Sequence, residues 1–253
     1  MSLALQIQAR VLAAQAAVLA DAGEPATAGS LAVAFPALDR EAATAAAQVA
    51  ARLTHDLRRL KEIRSIERKI AAKREMLPEY ADWVDGLMTG AREAGAGVSG
   101  DVLPTIMVWR IDVGDFAGAM PLIEHVLSHA VPMPGRYARD AATLVVEEIA
   151  EAAIKAQAAD QPFDLAILEQ VEALTAGHDM HDEVRAKLMK AIGFELVRAA
   201  DAAPADAVPL LTRSLAQMRG AQSLHDRVGV KTAIRGVEKS LAAAQTDTAG
   251  STG

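Results

Sequence analysis

Residues 52–77 read RLTHDLRRLKEIRSIERKIAAKREML, and two patterns are superimposed on them. Leu53, Leu57, Leu60, Ile63, Ile66, Ile70 and Leu77 recur at spacings of three and four, with Lys73 in the place between the last two. That period belongs to an α-helix burying one narrow stripe. Nine bases are interleaved with it: Arg52, Arg58, Arg59, Lys61, Arg64, Arg68, Lys69, Lys73 and Arg74. Between Arg52 and Arg74 three acids accompany them, Asp56, Glu62 and Glu67.

Working outward, no proline or glycine occurs between Asp39 and Leu77, Asp39 is a plausible N-cap, and Pro78 stops the run. The pattern predicts one helix of roughly 37 residues, about 55 Å long at 1.5 Å per residue. A seam this narrow is not buried by the helix alone. It needs a hairpin partner, the downstream domain, or copies of itself, and self-association through the seven seam residues is the expectation.

The charge is uneven. Residues 52–74 carry about +6, whereas the remainder holds 17 basic against 30 acidic residues, about −13, within a total of −7. A basic segment on an acidic body reads as a contact for a polyanion. The alternative is a solvated face with intrahelical pairs, Glu62 with Arg58 and Glu67 with Arg64. Three acids do not neutralise nine bases, so the nine are taken as a polyanion-binding set.

The whole chain has 253 residues, is 51% hydrophobic and only 3% aromatic, and contains no cysteine. Small aliphatic side chains favour close helix packing over a β-sandwich. Lack of cysteine excludes disulfides, thiol nucleophiles and cysteine-ligated metals, and lack of asparagine excludes a His-Asn-His nuclease site in its usual form. The expected class is all-α: a long coiled-coil-like oligomerisation helix followed by helical hairpins of tetratricopeptide-like character. Met1–Ala20 is read as an amphipathic helix and not a signal peptide, because no basic region precedes it and Gln6, Gln8, Arg10 and Gln15 interrupt it. No stretch of eighteen apolar residues exists to span a membrane. A soluble, intracellular protein is expected.

The chain divides into four regions. Residues 1–38 hold the first helix and a linker with Gly23, Pro25, Gly29 and Pro36; 39–98 form the basic region; 99–241 form helical hairpins; 242–253 read as a disordered tail. Helices are expected near 79–97, 101–113, 116–131, 140–158, 164–175, 181–200, 205–219 and 226–244. A weak repeat places 116–127 over 204–215, pairing Pro121 with Pro209 and Leu122 with Leu210.

Chemical motifs are sparse. No glycine-rich loop leads into Lys-Ser or Lys-Thr, so no P-loop is present. His178 and His181, among Asp179, Asp182 and Glu183, have donor types that suit a divalent ion, but capping by Asp182 explains them more simply. His125 and His129 lie one turn apart without the glutamate of a metalloprotease helix. Glu67 with Lys69, and Asp112 with Asp115, are the carboxylates available for metal-assisted cleavage; surface pairing and capping explain both. No catalytic residue, metal ligand or cofactor is assigned.

The middle of the chain carries a resemblance. Residues 73–78 (Lys-Arg-Glu-Met-Leu-Pro), 83–86 (Trp-Val-Asp-Gly) and 101–119, with Met107-Val108-Trp109-Arg110-Ile111-Asp112-Val113-Gly114-Asp115 at their centre, are similar to the M-type small terminase subunit of temperate tailed bacteriophages. The similarity continues through Met133-Pro134-Gly135, Glu147-Glu148-Ile149-Ala150 and residues 182–188, covering roughly 45–240. It implies genome packaging in the host bacterial cytoplasm: binding of concatemeric double-stranded viral DNA, assembly into a homo-oligomeric ring, and recruitment of the terminase large subunit that carries the ATPase motor and usually the nuclease. The acidic hairpins of 100–240 are then the expected dock for that subunit. M-type members are also described as the endonuclease subunit, so DNA cutting by metal-bound carboxylates is the alternative; a protein-binding helical scaffold is the second. Members often end in a basic tail, whereas this chain ends in neutral Ala, Thr, Gly and Ser, which places the DNA contact on 52–74.

Overall fold

A computed structural model of the chain describes residues 37–98 and 100–250. The expected N-terminal helix, and the end of the expected tail, lie outside the described residues. Among those described, the regular elements are helices and no strand occurs, so the fold is all-α. Two compact units divide the chain, one ending at Ala138 and the other beginning at Arg139.

In the first unit the segment expected as one helix is two. Helix α1 (Ala37–Glu62) gives way at residues 63–65, and α2 (Ile66–Met76) starts afresh. No glycine or proline marks the break. Ser65 makes it: its backbone is extended (φ −71°, ψ 128°) and its hydroxyl accepts the Arg68 N–H at 3.3 Å, satisfying an otherwise orphaned donor of the new helix. Glu67 in the first turn of α2, and Lys73 and Arg74 in its last, suit the helix dipole. The chain then doubles back, since Arg59 on α1 reaches Glu75 at 2.7 Å and Arg52 pairs with Glu79.

Folding back is how the seam is covered. Leu53 and Leu60 are buried, and Leu57, Ile63, Ile70 and Leu77 are half-buried, whereas Ile66 remains 75% exposed. Pro78 starts a 3-10 turn, Leu77–Tyr80, that leads into α3 (Ala81–Ala94). Gly95 ends α3 at φ +63°; its N–H bonds the Arg92 carbonyl and the Ala96 N–H bonds that of Ala91, a Schellman pair that favours a residue without Cβ.

Helices α4 (Val102–Asp112) and α5 (Phe116–Ser128) form a hairpin across Gly114, with the Asp115 carboxylate accepting the Gly118 N–H at 3.0 Å as N-cap. Every residue of α4 from Leu103 to Trp109 is buried. A helix apolar on all sides needs neighbours on all sides. Residues 100–138 accordingly belong with the first unit, and not with the helices after Arg139 as the sequence led us to expect. Trp109 meets Tyr80 edge to face, ring centroids 5.8 Å apart. Lys73 pairs with Asp112, and Arg74 donates to the Val113 carbonyl at 3.0 Å.

The second unit comprises α6 (Ala141–Ala158), α7 (Leu165–Thr175), α8 (Asp182–Ala202), a 3-10 turn at Pro204–Asp206, α9 (Ala207–Leu224) and α10 (Lys231–Gly250). Asp140 and Asp164 cap the first two. Asp182 is the first residue of α8 and not its cap; His181 holds the cap position without a side-chain bond. Helices α8 and α9 approach closely: a Cβ on Gly193 would lie 2.7 Å from Met218 Cγ, and the Ser214 hydroxyl donates to the Gly193 carbonyl at 2.8 Å. Helix α10 reaches Gly250, so residues 242–250 are helical where a disordered tail was expected. The weak repeat does not superpose in detail, because Pro121 sits inside α5 whereas Pro209 lies in the first turn of α9.

Candidate nucleic-acid interface

The nine predicted cations fall into two groups once the hairpin exists. Arg52, Arg59 and Lys73 are ion-paired to Glu79, Glu75 and Asp112, and Arg74 is tied to a backbone carbonyl. These four brace the first unit. The Lys73 side chain is only 16% exposed, which explains a lysine on an apolar seam: its stem is buried and its ammonium meets a carboxylate.

The remaining five, Arg58, Lys61, Arg64, Arg68 and Lys69, have no ion-pair partner among the described residues. All lie where α1 ends and α2 begins, and all but the half-buried Lys69 are exposed. The intrahelical pairs Glu62–Arg58 and Glu67–Arg64 do not close to ion-pair distance; Arg64 is outside both helices, in the connection. With Glu62 and Glu67 counted, the tip keeps a net charge of about +3. Beside it, a shallow groove of about 570 Å³ is lined by Arg59, Ile63, Arg68, Ala71, Ala72, Arg74 and Glu75.

Asp56, counted on sequence as a neutralising acid, points elsewhere. It is buried and accepts the Tyr80 hydroxyl at 2.8 Å; burial first, and that bond second, push the phenol's pKa up. It is therefore paired within the first unit and not with the bases of the tip.

The carboxylates considered for metal-assisted chemistry are also committed. Asp112 holds Lys73, and Asp115 caps α5 while accepting from Arg110 at 3.0 Å. Glu67 is exposed in the first turn of α2. Among the described residues no group of three or more histidines and acids is arranged to hold a metal ion. His178 and His181 are exposed, and Arg185 pins their loop by donating to the Thr175 and His178 carbonyls at 2.8 and 3.2 Å. His125 is buried, with Nε2 accepting the Val98 N–H at 3.1 Å and its ring stacked on His129 at 4.3 Å. Burial, then the neighbouring His129 and Arg92, hold its pKa below the usual histidine value.

Seam residues Leu53 and Leu60, expected at an oligomer contact, are spent inside the unit; Ile66 alone of the seven is fully presented to solvent. No described helix is long and apolar enough to cross a membrane.

Residues 50–183 match the phage small terminase subunit family, a span that includes the whole hairpin tip. The protein named "Terminase, endonuclease subunit" of Escherichia phage P2 is 40% identical over 199 residues, which cover 79% of this chain and 75% of that protein. No solved structure matches. With more than half of its length matched by the family and this relative aligned through most of both chains, the protein belongs to the phage small terminase subunits and serves phage genome packaging.

Proposed function

We propose that this protein binds double-stranded viral DNA through the tip of the α1–α2 hairpin, self-associates into a ring, and delivers the DNA to the terminase large subunit. The observation that carries the reading is the sorting of nine cations into four that brace the fold and five that are uncompensated at one exposed tip. Phosphate contacts of this kind supply affinity and orientation but little sequence information. The site in viral DNA would then be selected through deformation or wrapping of the duplex. The acidic helices of the second unit are the proposed dock for the large subunit. Salt-dependent binding of the purified full chain to double-stranded DNA, lost on removing the tip cations, is the test; binding that ignores those cations refutes it.

The name of the phage P2 relative raises a second reading, cleavage of DNA by this chain itself. Glu67 is one of two exposed carboxylates at the tip, with Glu62, that have no ion-pair partner among the described residues. Magnesium-dependent cleavage abolished in Glu67→Ala would establish it, and its absence under conditions of tight DNA binding would leave the nuclease to another subunit.

A further inference from the structure

One large hydrophobic side chain stands exposed at the hairpin tip. Ile66 is 75% exposed, against 38% for Leu224, the other large exposed hydrophobic side chain among the described residues. It is the first residue of α2 and comes directly after the non-helical connection 63–65, so it stands at the end of the hairpin and not on its flank. Arg64, Ser65, Glu67 and Arg68 around it are all exposed, and Lys69 is half-buried. Ser65 fixes the turn by capping α2, so the isoleucine is held out by an ordered helix start.

Such a side chain fits two occupants, a second copy of the chain or the stacked bases of a duplex. Charge disfavours a tip-to-tip pair of copies and favours DNA, and a head-to-tail contact between copies is left as an outcome of the test. Packing Ile66 against its own copy would bring two tips of about +3 each into contact, with Arg64 and Arg68 opposed to themselves. Against DNA the same cations meet phosphates, and the apolar group is carried to the one dry part of the polymer, the space between base pairs.

We propose that Ile66 is a wedge that inserts from the minor groove between adjacent base pairs, partly unstacking them and kinking the duplex, while Arg64, Arg68 and Lys69 hold the flanking phosphates. Apolar side chains used this way bend DNA by roughly 20–90°, toward the major groove. The inference rests on the DNA-binding reading above and adds to it a means of selecting sites, because steps that unstack easily admit the wedge at lower cost.

The test uses the full-length protein and end-labelled duplexes of about 30 base pairs, one intact and one with a central mismatch that is already partly unstacked. Wild type is expected to shorten the end-to-end distance of the intact duplex and to bind the mismatched one about tenfold tighter. Ile66→Ala and Ile66→Ser are expected to lose the bend and the mismatch preference, and to weaken binding about tenfold, while the salt dependence set by the cations is unchanged. Because Ile66 is exposed, circular dichroism should show the variants fully helical. Bending and preference that survive in both variants overturn the wedge while the DNA-binding reading stands. A fall in native mass on substituting Ile66, with the bend retained, overturns it in favour of a contact between copies. Failure of wild type to bind any duplex at low salt overturns both readings.

Discussion

The sorting of cations makes a quantitative prediction about salt. If each of the five unpaired cations, Arg58, Lys61, Arg64, Arg68 and Lys69, displaces the counterions of one phosphate, log K falls with log salt at a slope of about −4.5. Between 50 and 200 mM salt that slope corresponds to a loss of about 500-fold in affinity. In the triple variant Arg64→Gln, Arg68→Gln, Lys69→Gln only two contacts remain, so the slope should fall to about −1.8 and the same salt step should cost about 12-fold. The control removes charge of the same sign from the paired group: Arg52→Gln with Arg59→Gln, which on sequence belong to the same basic set. Their guanidinium groups meet Glu79 and Glu75 in solvent, so the acids they leave behind are exposed and little stability is lost. The slope for this control should stay near −4.5 per chain, to within about the error of the fit. Fluorescence anisotropy on a labelled duplex over a series of salt concentrations measures both. A control that flattens the slope as much as the triple variant does would mean that the ion pairs open on binding and that all nine cations act alike.

Other expectations concern the frame that presents the tip. Lys73→Met leaves Asp112 without its cation in a partly buried place and should cost about 1–3 kcal/mol in urea unfolding, with the DNA salt slope unchanged. Gly193→Val puts a branched side chain where even a Cβ would lie 2.7 Å from Met218 Cγ, and should destabilise the second unit by about 1–3 kcal/mol, read as a lower urea midpoint. His125 has a lowered pKa in the fold, so the unfolded chain binds the proton more readily and stability falls as pH drops below about 6.5. His125→Gln should remove that component of the decline between about pH 7.5 and 5.5; a decline as steep as wild type would place its source elsewhere.

The helices of the second unit were legible because their ends are written locally. Asp140 and Asp164 precede the first two as caps, and expectations of 140–158 and 164–175 meet helices at Ala141–Ala158 and Leu165–Thr175. The start of α9 near Pro204 is likewise marked by a residue that fits a helix only at its first turn. The far end of α10 was misread for the complementary reason. Ala, Thr and Gly after residue 241 look like tail composition, yet alanine is the best helix former and propagation past an existing helix needs no new nucleus. The boundary between the units was misplaced because glycines at 95, 97 and 100 mark a break in the chain, and a break is not a domain edge when the next helix, α4, is apolar on every face and returns to the same core.

The break at residues 63–65 had no such mark, and missing it produced two separate misreadings. With a continuous helix, the acids able to neutralise Arg58 and Arg59 are those one turn away, Glu62 for both and Asp56 for Arg59. With the chain reversed at Ser65, residues far apart in sequence come together, so Glu75 and Glu79, just beyond the last base of the set, Arg74, neutralise Arg59 and Arg52 instead. The number of free cations therefore depends on where the chain turns. The apolar seam depends on it in the same way: a straight helix would present all seven seam residues to a partner, whereas the hairpin consumes Leu53 and Leu60 internally and isolates Ile66 at its apex. The one local clue was Lys73 in an apolar position. A lysine there requires a carboxylate from another element, and Asp112 on α4 provides it, so α2 must lie against α4 and the helix that contains it cannot project alone into solvent.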